Sequence, residues 1–247
     1  FLGLFVTLRK ISFLGDGVSH ASLAGIAVGI VAGVNPFPVA LLVGVLMGAF
    51  VYVLERKTPI SSDALVGVLF TGALSFGLIL MSLQRGYQPE LLSFLFGNIL
   101  SIRTFDLWII APFSAGIFVL LVALFRPLAL LALDRETAWL YRVNTALLDF
   151  VFYILVSLSI VLGVKLLGVI LVSALLIVPP SIAKMIAGSF RGMVIWSIVA
   201  AESFVVFGLM LSYIFDWPSG ATIVLIGALF FFSLTGLQAL TSMRRSN

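Results

Sequence analysis

Long apolar runs, each closed by a charge, a proline or a turn sequence, follow one another from the first residue almost to the last. Those near 11–33, 37–54, 64–83, 106–125, 146–164, 166–183, 192–215 and 218–241 approach the roughly 20 apolar residues that a helix needs to cross a bilayer core. The run from Leu91 to Leu100 is too short to cross and predicts a re-entrant or surface helix. Phe1 to Leu8 is shorter still, and Arg9-Lys10 follow it, whereas a signal peptide carries its charges before the apolar stretch. It reads as the end of a first span whose beginning precedes Phe1. The pattern therefore predicts an all-α integral membrane protein: a polytopic bundle of about eight complete spans, a truncated first helix and one short re-entrant or surface helix. No linker or low-complexity stretch divides the chain, so residues 1–247 form one transmembrane domain.

Composition agrees with lipid as the solvent. Hydrophobic residues make up 62% of the chain and charged ones 10%, against about 45–50% and about 25% in soluble domains. The formal charge of +4 comes from scattered Lys and Arg between apolar runs, a loop pattern and not a nucleic-acid patch. Placing Arg244-Arg245 in the cytoplasm and counting back puts Arg9-Lys10, Arg56-Lys57, Arg126 to Arg142 and Lys184 to Arg191 on the same side. Arg85, Arg103 and Lys165 fall outside. The expected topology is multi-pass, with the C-terminus on the cytoplasmic side.

Chemistry concentrates in the first complete span. Asp16 and His20, the single histidine, are four apart and share a helix face. A charge deep in a membrane costs about 2.5–3.5 kcal/mol on insertion scales, so it calls for a partner or a wet cavity. A carboxylate and an imidazole suit zinc, manganese or ferrous iron; equally, the two could hydrogen-bond each other and lock helices. Gly17, Ala21, Gly25, Gly29 and Gly33 recur every four residues, a small-residue stripe that lets backbones approach closely. Gly44 and Gly48 suggest a similar contact in the next span.

Elsewhere the signals divide. Glu202 sits mid-span and reads either as a further metal or paired site or as a lone acid kept protonated by burial. Pro179-Pro180 reads as freed carbonyls lining a pathway or as a helix stop. The segment Asp134, Arg135, Glu136, Thr137, Ala138, Trp139, Leu140, Tyr141, Arg142 is either a solvated loop or a short amphipathic helix that docks a cytoplasmic partner through Trp139 and Leu140. Asp216 to Gly220 reads as a tight external turn. There is no G-x-x-x-x-G-K-[ST], H-E-x-x-H or G-x-S-x-G segment, so nucleotide binding by a P-loop and the familiar hydrolase motifs are excluded. The absence of Cys and the dispersal of Met argue against a soft copper(I) route.

Five blocks in order, LRKISFLGDGVSHASLAGIAVG, SSDALVGVLFTGALSFGLIL, LLSFLFGNILSI, LLGVILVSALLIVPPSIAKMI and SYIFDWPSGATIVL, resemble the permease subunits of bacterial ABC importers for zinc, manganese and iron. The resemblance implies a homodimer, two cytoplasmic ATPase subunits and an extracytoplasmic metal-binding protein, with a transported ion and no tightly bound cofactor. ATP hydrolysis would then reside on the partner, not on this chain. It places Asp16 and His20 on the metal path and Asp134 to Arg142 at the ATPase contact. Glu202 matches no family motif, and the double proline departs from a single proline followed by a small residue. Two other functions compete with this one: an ion-coupled secondary metal transporter, for which Asp16, Glu202 and Asp149 are the available acids, and a membrane-embedded metalloenzyme. The latter fits poorly with one histidine, since a catalytic zinc site needs three protein ligands and an open position.

Overall fold

A computed structural model of the chain describes residues 1–83, 104–140 and 144–246, with backbone alone for 104–107, 109, 135, 137, 139 and 241–246. Among these residues the regular structure is helical: α1 (Leu2–Leu8), α2 (Leu14–Val31), α3 (Pro36–Lys57), α4 (Ser62–Ser82), α5 (Thr104–Ala123), α6 (Phe125–Leu133), α7 (Arg135–Leu140), α8 (Thr145–Leu167), α9 (Val169–Ile186), α10 (Phe190–Phe215) and α11 (Ser219–Ser246). Seven helices are each long and apolar enough to cross a membrane, namely α2, α3, α4, α8, α9, α10 and α11 through Leu240. Ile110–Ala123 of α5 and all of α6 meet at 60°, the geometry of a broken span or of a re-entrant loop, so the described residues hold seven candidate crossings, or eight with this pair counted as one. The eight runs seen in the sequence each coincide with one of these helices. The expected helix in Leu91 to Leu100 lies outside the described residues.

Local chemistry sets the boundaries. Asn35 opens α3 by accepting a 3.1 Å hydrogen bond from the Phe37 N–H, with Pro36 at the first helical position. Ser61, Asn144 and Ser189 cap α4, α8 and α10 in the same manner. Gly168, at φ 83°, permits the sharp turn from α8 to α9. The bend between α5 and α6 has a covalent cause. Pro127 has no N–H to give the Ala123 carbonyl, and its ring crowds that carbonyl.

Proline does not act that way in α9, which runs through Pro179 and Pro180 to Ile186. The helix stop expected there does not form. The prolines are buried, and packing holds the helix together although Leu175 and Leu176 lose their i+4 donors. Gly3 of α1 lies directly against the Leu176 carbonyl, where a Cβ would collide with the oxygen. A helix crossing this tightly shields the polar group that Pro180 leaves open.

The main core gathers Phe5, Val6, Leu14, Val18, Phe152, Val156 and Ile160 from α1, α2 and α8. A second core of Leu171, Ile182, Ala200, Phe204 and Ile223 joins α9, α10 and α11. Burial is uneven: 72% of the α2 span is inside the protein, against 17% for α4. The glycine stripe accounts for the central place of α2. A Cβ at Gly25 would come within 2.7 Å of Ala40 Cα, one at Gly29 within 2.6 Å of Pro36 Cα, and one at Gly17 within 2.5 Å of the Val66 side chain. Ala21 is fully buried. On α3, Gly44 abuts Val161 and Val18, and Gly48 abuts Ser157. Gly33 departs from this role. It lies beyond the helix at φ 68° with no atom within 4 Å of a built Cβ, so it serves the turn and not the packing.

Basic residues collect at one end of the bundle. Arg9-Lys10 follow α1, Arg56-Lys57 end α3, and Arg126 begins α6. The α9–α10 turn with Lys184 and Arg191 joins them, because the Phe190 ring meets those of Phe5 and Phe125. Lys165 sits at the opposite end, 4.2 Å above the Phe37 ring.

Candidate functional site

Asp16 lies in the first turn of α2, where the positive end of the helix dipole favours a carboxylate. His20 follows one turn later. At a rise of about 1.5 Å per residue, both lie in the half of α2 nearer the basic end, not at its middle. The His20 ring stands edge-on to Phe70 of α4, with centroids 4.7 Å apart. Its other side borders an apolar cavity of about 310 Å³ between α2 and α4, lined by Leu23, Ala24, Leu74, Gly77 and Met81.

Among the described residues Asp16 and His20 do not hydrogen-bond each other, and the buried His20 Nδ1 has no partner. That leaves the helix-locking alternative without its bond. A carboxylate and an imidazole held on one face without hydrogen-bond partners among the described residues have the chemistry of an oxygen–nitrogen donor pair for a borderline divalent cation. The described residues bring no third His, Asp or Glu to the pair. One chain therefore offers half of a typical coordination shell, which suits brief contact with an ion in transit.

Glu202 is elsewhere. It occupies the middle of α10 on an exposed face, and α10 packs chiefly on α9 and α11, whereas α2 packs on α3 and α4. The structure does not bring Glu202 to Asp16 and His20. Pro179 and Pro180 are buried in α9, beside α1. The segment after Asp134 forms the short helix α7, whose start is fixed by Asp134 Oδ1 accepting a 3.0 Å bond from the Glu136 N–H. Ala138 is buried against the main core, while Glu136 and Leu140 are exposed. The side chains of Arg135 and Trp139, and all of Arg142, lie outside the described residues.

A second polar site escaped the sequence reading. At the basic end a cavity of about 410 Å³ is lined by Arg9, Tyr52, Glu55, Arg56, Asp149 and Tyr153, with Leu131 and Ala132 of α6. Arg9 forms an ion pair with Asp149, the two side chains being 12% and 8% exposed. The guanidinium also lies 4.6 Å above the Phe152 ring. Tyr153 donates to Glu55, which also accepts from Ser62 Oγ at 2.7 Å. Tyr52 donates to the Ala146 carbonyl at 2.8 Å and accepts from Arg56 at 2.6 Å. The usable signal was Asp149 inside an apolar run, which demanded a counter-ion. Spacing along the chain gives no means of matching it to Arg9.

The family model described as the ABC 3 transport family matches residues 1–237. The chain belongs to the ABC 3 transport family. Within it, the high-affinity zinc uptake system membrane protein ZnuB of Haemophilus influenzae is 31% identical over 93% of this chain and 88% of its own length. The manganese import system permease protein ScaB of Streptococcus gordonii is 34% identical over 93% and 82%. Among solved structures, PsaBC from Streptococcus pneumoniae in complex with Fab superposes with a TM-score of 0.80 at 30% identity, covering 94% of this chain and 84% of that one. This ABC 3 family chain thus shares its fold with that solved structure over most of its length.

Proposed function

We propose that this chain is the membrane permease of an ATP-driven importer for a divalent transition metal, with zinc, manganese and iron as the candidate ions. The observation that carries the reading is an unbonded carboxylate–imidazole pair on the most buried span of an ABC 3 family chain. Relatives named for zinc uptake and manganese import support the substrate class.

The ion enters from the end opposite the basic residues, delivered by an extracytoplasmic metal-binding protein. Asp16 and His20 hold it in passing, and a second copy of the chain contributes its own pair to complete the shell. The basic end faces the cytoplasm of a bacterial inner membrane, together with the C-terminus, consistent with the bias of Lys and Arg. There two ATPase subunits engage residues 134–142, with α7 presenting Glu136 and Leu140. This chain binds no nucleotide of its own, and hydrolysis is the partners' task.

Uptake into proteoliposomes tests the reading. The full-length permease, its ATPase and its binding protein should import zinc, manganese or iron only when ATP is supplied. Uptake by the permease alone under an ion gradient would replace the reading with a secondary transporter.

A further inference from the structure

We infer that the part-buried ion pair Arg9–Asp149 is a positioning link that transmits movement of α7 to the helix carrying Asp16 and His20; the inference rests on the importer reading.

The connection is short and continuous. Ala138 places α7 in the buried cluster that also holds Leu131 of α6 and Leu148 of α8, and α7 packs on both of those helices. Asp149 is the next residue after Leu148 and holds Arg9. Arg9 ends α1 and stands seven residues before Asp16. The intervening Lys10 has φ 58°, a conformation that side-chain-bearing residues adopt only in tight joints. One turn along α8 from Asp149, Tyr153 holds Glu55 at the end of α3, and Glu55 in turn holds Ser62 at the start of α4. The first turns of α8 thus grip the joint that leads into α2 and, through Glu55, the start of the helix whose Phe70 flanks His20.

Geometry favours a link over a plain staple. The pair borders a cavity of about 410 Å³, so α6, α8 and the α1–α2 joint have room to move against one another. A pair locked in solid packing would lack that space. A guanidinium and a carboxylate can also exchange partners within such a polar cavity, the discrete rearrangement that coupling between distant sites requires. Arg56 and Glu55 line the same cavity.

The test uses the complete importer in proteoliposomes and counts metal ions taken up per ATP hydrolysed. Asp149→Asn and Arg9→Gln should lower that ratio about tenfold, the range of ordinary coupling energies, while basal ATP hydrolysis persists. Arg9→Lys, which keeps the charge, and the exchanged pair Arg9→Asp with Asp149→Arg should recover most of it. A second readout covers variants that assemble poorly. The chain has no cysteine, so spin labels on Phe13→Cys and Leu133→Cys, both exposed positions, report the distance from α2 to α6. Nucleotide should shift that distance in the native pair and leave it fixed in Asp149→Asn. Unchanged ions per ATP, or an unchanged nucleotide-driven shift, in Asp149→Asn would overturn the inference. Absence of ATP-driven uptake with the native pair would instead overturn the importer reading itself.

Discussion

Two polar sites lie within a few turns of each other, and they are built on opposite principles. Around Arg9, Glu55, Asp149 and Tyr153, charge meets charge and hydroxyl meets carboxylate or carbonyl. At Asp16 and His20, neither side chain makes a hydrogen bond to protein among the described residues, and the imidazole Nδ1 is buried. A membrane interior penalises unsatisfied polar groups, so the first site stabilises the bundle, whereas on the importer reading the second is completed by the ion in transit. On that reading the contrast separates residues that hold the fold from those that meet the ion, and mutations should split along the same line.

The largest stability effect belongs to the paired site. Asp149→Ala removes the carboxylate paired with the part-buried Arg9 guanidinium, and losing one member of a buried pair costs roughly 3–5 kcal/mol. Thermal unfolding in detergent should drop accordingly, and a native-like midpoint would show that Arg9 finds another partner. Next comes the glycine stripe. Gly25→Val places atoms where Ala40 Cα already stands 2.7 Å from the built Cβ, and such overpacking costs about 1–3 kcal/mol. The same assay checks it, with an unshifted midpoint indicating that α2 and α3 separate easily. Tyr52→Phe removes one donor and one acceptor at the rim of the basic-end cavity. A loss of about 1 kcal/mol is expected, and no loss would mean that water replaces the hydroxyl.

Much of this was legible from residue order. Period, length and charge located the candidate spans, since a membrane helix must satisfy its backbone internally and a run of apolar residues has few other uses. Asp16 and His20 stood out because polar residues four apart in an apolar run share a face. What sequence could not supply was partnership between distant positions. Arg9 looked like a topology marker and is a part-buried counter-ion 140 residues from its acid. Pro179-Pro180 suggested a helix end, because proline removes a donor locally; tertiary packing against Gly3 overrides that cost. Gly33 continued the four-residue rhythm on paper, yet α2 ends at Val31 and the residue turns the chain. Glu202 read either as a further metal or paired site or as a lone buried acid, and the assembled bundle places it on an exposed face of a helix group apart from Asp16 and His20.

The smallest expected stability change accompanies the largest functional one. Asp16→Ala and His20→Ala remove no protein hydrogen bond and should shift unfolding by less than about 1 kcal/mol, within the range of substitutions that break no contact network. The decisive measurement is ATP-driven uptake of zinc, manganese and iron by these two variants, beside unaltered assembly and basal ATP hydrolysis. Loss of uptake in both, with stability retained, is the expected result. Normal uptake in either variant would contradict a metal path through Asp16 and His20.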